Sequence, residues 1–484
     1  MVNKTIDSCS FSEEIVKALK GLEYETLTEV QEQVIPLVLA NKDIIVRSQT
    51  GSGKTAAFAI PVCEKITVEQ RNPQVLVLTP TRELAVQLKQ DISNIGRFKK
   101  IRCAVLVGRQ SMEIQKRELG QRVHIIVGTP GRTLDHIEKN SIKLEDIRYL
   151  IIDEADKMLD MGFIEQVEAI IETLPAKRVT LLFSATMPDK IGEICSKYMA
   201  NPTKVEIHSP KPATEQIEQF YYEVEENEKM QLLDKLLYTL RPDSAIIFCN
   251  TREKVDFLVE GMKKTGYSCG SLHGGMEQRE RLQTMESFKR GEFQFLVATD
   301  VAARGIHVDD IALVINFELP FEKENYVHRI GRTGRAGNAG MAVTFVAPRE
   351  QRVLQEIEQY VEYEIPGKDF PTLEEVQAGK KIFAANRLNK TELKPNKSEQ
   401  LNKEITRIRI NGGKKTKMRP GDILGAITNI SGISAADIGI IDIQDTCSYV
   451  EIIGANGRRV LEALPDTKIK GKIYTSKQVA CRSM

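Results

Sequence analysis

At 484 residues, with 41% hydrophobic and 28% charged side chains, the chain is too long for one core and predicts two or three domains. No apolar run approaches the roughly 20 residues of a membrane span. The opening "MVNKTIDSCSFSEE" lacks an apolar signal core, and eight scattered cysteines contain no CxxC pair, which argues against export, a zinc site and a disulfide framework and predicts a reducing cytoplasm.

Short β-branched runs alternate with helical patterns along the first half. "DIIVRS", "QVLVLTP", "IRCAVLVG", "HIIVGTP", "YLIIDEAD" and "VTLLFSAT" read as buried strands, with helices such as "RELAVQLKQDISNI" between them. This pattern predicts an α/β fold with a parallel sheet covered on both faces. The polar, proline-containing "HSPKPATEQ" reads as a hinge, and "SAIIFCNT", "FQFLVATD", "IALVINFE" and "MAVTFVAP" repeat the scheme. The lysine- and asparagine-rich stretch from Gln377 to Glu404 reads as linker. Beyond it, strands in "ITRIRING", "IGIIDIQD", "YVEIIG" and "KIYTSK" and helices in "RPGDILGAITNI" and "GRRVLEALP" follow the split βαβ plan. The final "SKQVACRSM" has no reading. Expected boundaries are 1–208, a hinge at 209–214, a second domain at 215–368, a linker at 369–403 and a third domain at 404–476. A net charge of +1 hides an asymmetry: from Gln377 onward 20 basic residues face 10 acidic ones, which predicts a polyanionic partner for the tail.

Two stretches carry chemistry. "SQTGSGKT" (48–55) lies between a strand and a helix and nearly matches the phosphate loop G-x-x-x-x-G-K-[ST], with Ser48 at the first glycine position. Its Gly51 and Gly53 let backbone N–H groups turn around phosphate oxygens at a helix N-terminus. Lys54 would reach the β- and γ-phosphates, and the Thr55 hydroxyl would ligate Mg²⁺. The second stretch, "YLIIDEADKMLD", ends an apolar strand in three acids within four positions. In phosphate-loop enzymes a second strand ends in an Asp that holds Mg²⁺. Asp153 is therefore the expected magnesium carboxylate and Glu154 the base that orients the attacking water. Asp156 lies too far along the turn to share the ion and is assigned to coupling.

The ordered set "SQTGSGKT", "PTRELAVQ" (80–87), "TPGR" (129–132), "DEAD" (153–156), "SAT" (184–186), "IIFCNT" (246–251), "HGGMEQRER" (273–281), "ATDVAARGI" (298–306) and "HRIGRTGRAG" (328–337) resembles the DEAD-box RNA helicases over about residues 10 to 365. The resemblance implies two tandem RecA-like domains, RNA-dependent ATP hydrolysis with Mg²⁺, and local duplex unwinding. By motif position, ATP would be held by Phe11, Thr28, Gln31, Ser48, Gln49, Thr50, Gly51, Ser52, Gly53, Lys54, Thr55 and Gly305, with Gln31 reading adenine. Ser184 and Thr186 would couple ATP to RNA. Arg332 and Arg335 resemble arginine fingers, with His328 and Arg329 completing the contact to the first domain; fixed charge and forked donors suit arginine to phosphoryl oxygens. RNA would lie along Thr81, Arg82, Thr129, Arg132, Arg281 and Thr299. Three positions depart from the family pattern: Leu27 stands where proline is usual, His307 where an aspartate contacts ribose, and "VGRQ" (107–110) lacks a common glycine pair.

The third unit extends the resemblance to the DbpA/YxiN branch, whose RRM-like C-terminal domain recognises a 23S ribosomal RNA hairpin. That implies RNA as partner, with pre-50S particles as its setting. Unlike an ordinary RRM, which stacks bases on aromatics of its central strands, this unit offers only Tyr449 there, beside Arg407, Arg409, Lys414, Lys415, Lys417 and Arg419. An ATP-gated RNA clamp, a general RNA chaperone and a DNA helicase stand as alternatives, and for the third unit an RRM-like fold used for protein contacts.

Overall fold

The computed structural model describes residues 5–6, 10–48, 51–207, 217–303, 311–334, 340–386, 393 and 401–480. The expected hinge therefore lies outside the described residues, as do Gln49, Thr50, Gly305, His307 and Arg335. No helix among the described residues is long and apolar enough to cross a membrane.

The six strands expected in the first domain form, as β1 (Ile44–Arg47), β2 (Val75–Leu78), β3 (Cys103–Leu106), β4 (Ile125–Gly128), β5 (Tyr149–Ile152) and β6 (Val179–Ser184). A seventh, β7 (Thr203–Glu206), closes the edge of an all-parallel sheet of order β3-β4-β2-β5-β6-β1-β7. Its "TKVE" buries only Val205, because an edge strand covered on one side needs no continuous apolar run. Apolar clusters cover both faces of the sheet, one built around Val46, Val77 and Phe183, the other around Leu76, Ile126 and Leu182.

The second sheet is also all-parallel, in the order β10-β11-β9-β12-β13-β8. The expected strands are β9 (Ala245–Cys249), β11 (Phe295–Thr299), β12 (Leu313–Asn316) and β13 (Gly340–Val346). Two edge strands, β8 (Ile217–Glu223) and β10 (Cys269–Leu272), were not legible. The first mixes aromatic and charged residues. The second contains Gly270, a close-approach site where an added Cβ would lie 2.7 Å from the Phe293 ring.

The linker reading needs correction at its start. Leu373–Asn386 is a helix, docked on helix Lys229–Leu240 through Phe383, whose ring centroid lies 5.4 Å from Tyr238 and 5.2 Å from Tyr267. Gly379 permits the approach: a Cβ there would stand 2.1 Å from the Tyr238 carbonyl oxygen. One aromatic and one glycine set this contact, so apolar periodicity did not reveal it.

The third domain has the order β15-β16-β14-β17, all antiparallel, with β14 (Ile405–Ile410), β15 (Ile438–Ile443), β16 (Ser448–Ile453) and β17 (Ser476–Val479). Helices Pro420–Thr428 and Gly457–Ala463 cover one face, enclosing Ile408, Ile423, Val450 and Val460. The last strand is displaced from the expected "KIYTSK" into the segment that had no reading. Lys470 and Gly471 both take positive φ in a turn closed by the Ile469–Lys472 bridge, so pairing with β14 begins only near Thr475, whose carbonyl accepts from Asn411 N–H.

Candidate functional site

Parallel strands in one sheet deliver their C-terminal ends to one edge, where α/β proteins bind ligands. In the first domain that edge collects the phosphate loop after β1, Thr81 after β2, Thr129 after β4, the acids after β5 and Ser184 at the end of β6. Register keeps them together: β1 runs beside β6 with Arg47 opposite Ser184, and Ser48 N–H donates to the Ser184 carbonyl at 3.1 Å.

Gly51 and Gly53 have φ of 86° and 93°, the left-handed region that Ser48, at the first glycine position of the motif, is not asked to enter. The helix Lys54–Lys65 starts immediately after Gly53. The Lys54 ammonium is buried and donates to the Ser48 carbonyl at 3.2 Å. Thr28 and Gln31 brace this loop. The Thr28 hydroxyl donates to the Ser52 carbonyl at 3.0 Å, while the Gln31 amide accepts from Thr28 N–H at 3.0 Å and donates to the Gly53 carbonyl at 3.2 Å. Gln31, expected to read adenine, thus ties the turn before its own helix to the phosphate loop. Leu27 fills a buried apolar position, so the missing proline leaves the cap intact. Phe11 is half-buried against the first-domain core.

Asp153 is buried beside Glu154, and its carboxyl is pushed up to about 6, chiefly by loss of hydration, with Lys54 opposing and Glu154 adding to the rise. A carboxylate stripped of water in this way gains from a cation beside it. With the Thr55 hydroxyl in the first turn of the neighbouring helix, it makes an all-oxygen donor pair that suits a hard divalent ion. Glu154 stands in the left-handed region (φ 54°, ψ 51°), a sharp strand-to-helix turn, and its carboxylate receives the Lys157 ammonium. Asp156 is drawn away from this pair. One carboxylate oxygen accepts from Ala185 N–H (3.0 Å), Thr186 N–H (2.9 Å) and the Thr186 hydroxyl (3.2 Å), and the Ser184 hydroxyl meets Asp156 N–H at 3.2 Å.

Arg82 and Arg132 converge on residues 107–110. Arg132 donates to the Gln110 carbonyl at 2.9 Å, and the Arg82 guanidinium occupies the space beside Gly108. Arg109 takes φ 57° in the loop that lacks the glycine pair. Sequence reading missed what aims Arg132: buried Gln115 accepts from it at 3.1 Å, donates to the Val107 carbonyl at 2.8 Å and meets His136 at 3.0 Å. Burial, helped by Arg132, pushes His136 down to about 4, so its neutral ring supplies the N–H. Gln115 lies in an ordinary amphipathic helix and gave no signal. Thr81 caps the helix Arg82–Ile95 by accepting from Leu84 N–H at 3.3 Å. Thr129 precedes the helix Pro130–Glu138 in the capping position.

In the second domain Arg281 and Thr299 are buried at the ends of helix Gln278–Lys289 and β11, and Arg332 donates to the His328 carbonyl at 3.2 Å. Arg329 is held by its own domain. It is 1% exposed and grips Asp300 (2.6 and 2.7 Å), Asn250 (2.8 Å) and the Glu318 carbonyl (2.6 Å), all within its own domain. Nothing in the sequence marks Asn250, Asp300 and Glu318 as its partners, since acids and amides at strand ends are common.

Family models match three successive stretches: a DEAD/DEAH box helicase at 28–194, a helicase conserved C-terminal domain at 228–337 and a DbpA RNA binding domain at 407–477. The chain is 52% identical over 461 residues to the ATP-dependent RNA helicase DbpA of Bacillus subtilis, covering 95% of this chain and 96% of that one. It belongs to the DEAD-box RNA helicases. Within them it is of the DbpA type, an ATP-dependent RNA helicase with an added RNA-binding domain. A second DEAD-box relative, CshA of Geobacillus kaustophilus, is 44% identical over 384 residues, 79% of this chain and 82% of that one. Among solved DEAD-box structures, S. cerevisiae Dbp5 bound to RNA and ADP BeF3 superposes with a TM-score of 0.68 at 31% identity, covering 79% of this chain and 99% of that one.

Proposed function

We propose that this DEAD-box helicase is cytoplasmic and opens short duplexes in 23S ribosomal RNA during large-subunit assembly, recruited by its C-terminal domain. The observation that carries this reading is a DbpA RNA-binding domain placed after two helicase domains, with Lys414, Lys415, Lys417 and Arg419 exposed on it.

In this reading Lys54 and the N–H groups of residues 51–55 bind the triphosphate, with Phe11, Thr28 and Gln31 at the base and Ser48, Gln49, Thr50, Ser52 and Gly305 completing the site. Thr55 and Asp153 hold Mg²⁺, which when bound neutralises phosphate charge. Glu154 takes the proton of the attacking water, and Arg332 and Arg335 stabilise the transferring phosphoryl group. The acids and the arginines belong to different domains, so closure precedes hydrolysis. RNA runs along Thr81, Arg82, Thr129, Arg132, Arg281 and Thr299, mostly through phosphates and 2′-hydroxyls. Two ligands that both favour the closed form tighten each other's binding.

Asp156 couples the two events, since its carboxylate links the acidic turn to Ala185 and Thr186. Asp156→Ala is expected to keep ATP hydrolysis within a few-fold while strand separation falls about 10²-fold or more, the scale of two or three lost charge-assisted hydrogen bonds. Parallel ATPase and duplex-unwinding assays check this; equal losses in both would place Asp156 in the hydrolytic site.

Recruitment is tested by charge reversal. Lys414→Glu with Lys415→Glu is expected to raise the concentration of a 23S ribosomal fragment needed for half-maximal ATPase and to flatten its salt dependence by about two phosphate contacts. The response to generic RNA and the saturated rate stay as they were. Equal half-saturation of the two proteins on the ribosomal fragment would overturn the recruitment role.

A further inference from the structure

The C-terminal domain and the first helicase domain form one compact unit. Side chains alternate across a sheet. Ile408, Ile410, Val450 and Ile452 line the domain's own core, so Arg407, Arg409, Tyr449 and Glu451 share the opposite face. In an RRM that face stacks RNA bases. Here Arg407 stands opposite Glu451 in the register of β14 and β16, is buried, and lies over the Tyr449 ring at 4.7 Å. Glu451, 4% exposed at its side chain, meets Arg97 of the first domain at 3.2 Å.

Arg97 follows the helix Arg82–Ile95, and other first-domain groups converge nearby. Arg117 faces Asp445 at 3.6 Å, and the Lys100 ammonium donates to the Ala435 carbonyl at 3.0 Å. Arg102 is pushed down by burial, an effect that Asp442 and Glu451 of the C-terminal sheet oppose. Apolar contact accompanies the charges: Leu401 and Ile405 are buried with the first-domain core, and Leu401 fills the space beside Gly21. A buried carboxylate without a cation costs several kcal/mol, and at the centre of a nucleic-acid face it would repel phosphates. Glu451 makes sense opposite Arg97.

We infer that the open face of the C-terminal sheet is a docking surface for the first helicase domain, keyed by Glu451 to Arg97, and that it stays docked while the domain holds RNA. The exposed Lys414, Lys415, Lys417 and Arg419 remain available in this arrangement. Its last clause rests on the RNA-binding reading above.

The test is amide hydrogen exchange on the full chain, followed over residues 92–101 and 448–453. Glu451→Arg and Arg97→Glu are each expected to speed exchange in both stretches by about 10² to 10³-fold, the scale of a buried ion pair losing one partner. The double variant restores protection, and a 23S ribosomal fragment leaves the parental protection in place. Unchanged exchange in Arg97→Glu, which lies outside the C-terminal domain and leaves its core intact, would overturn docking. So would a double variant no better protected than the singles, or loss of protection on adding the fragment. Failure of the RNA reading shows separately, as no protection of residues 414–419 by the fragment, and leaves the charge-swap result standing.

Discussion

Glu154→Gln is expected to leave ATP bound and to stall its hydrolysis by about 10² to 10⁴-fold, the range for removing a positioned general base. The groups that would hold the triphosphate and its ion, Lys54, Thr55 and Asp153, are untouched by the change. Glutamine keeps the length of the side chain and can still accept from Lys157, so the left-handed turn at 154 and the helix Ala155–Asp160 behind it persist. Only proton acceptance is lost. Single-turnover hydrolysis beside nucleotide binding measures the split, and hydrolysis at the parental rate would remove Glu154 from the base role.

Arg329→Leu should destabilise the second domain by about 3–5 kcal/mol, the cost of breaking a buried ion pair from one side. The substitution leaves the Asp300 carboxylate, the Asn250 amide oxygen and the Glu318 carbonyl without their common donor, and leucine offers none. Those groups sit at the ends of β9, β11 and β12, so the strand ends carrying Thr299 lose their brace. Arg329→Lys restores the charge but not the fork, and recovers part of the loss. Thermal unfolding followed alongside hydrogen exchange in residues 245–330 provides the check. An unchanged midpoint in Arg329→Leu would mean that these contacts do not hold the domain together.

Arg329 shows where sequence reading stops. "HRIGRTGRAG" marks three arginines and a histidine close in sequence, and nothing in the spacing tells an outward arginine from an inward one. That choice belongs to Asp300 and Asn250, each more than 25 residues away in sequence. Asp156 is the opposite case. Its distance along the turn already separates it from Asp153, and the structure supplies only the partners, Ala185 and Thr186.

By itself the sequence determined the parallel α/β halves, the phosphate loop, the acidic turn and the split βαβ tail, because each is a local pattern. Buried strands need continuous β-branched runs, a phosphate loop needs glycines at fixed offsets, and a helix start needs its cap. Tertiary structure alone decided the edge strands β7, β8 and β10, the helix Leu373–Asn386, the place of β17, the Gln115–Arg132 brace and the pairing of Glu451 with Arg97. Each of these depends on one or two side chains meeting a partner far along the chain, and such a meeting leaves no period in the sequence. Burial then fixes its energetic weight, since the same charge costs little in water and several kcal/mol unpaired in a core.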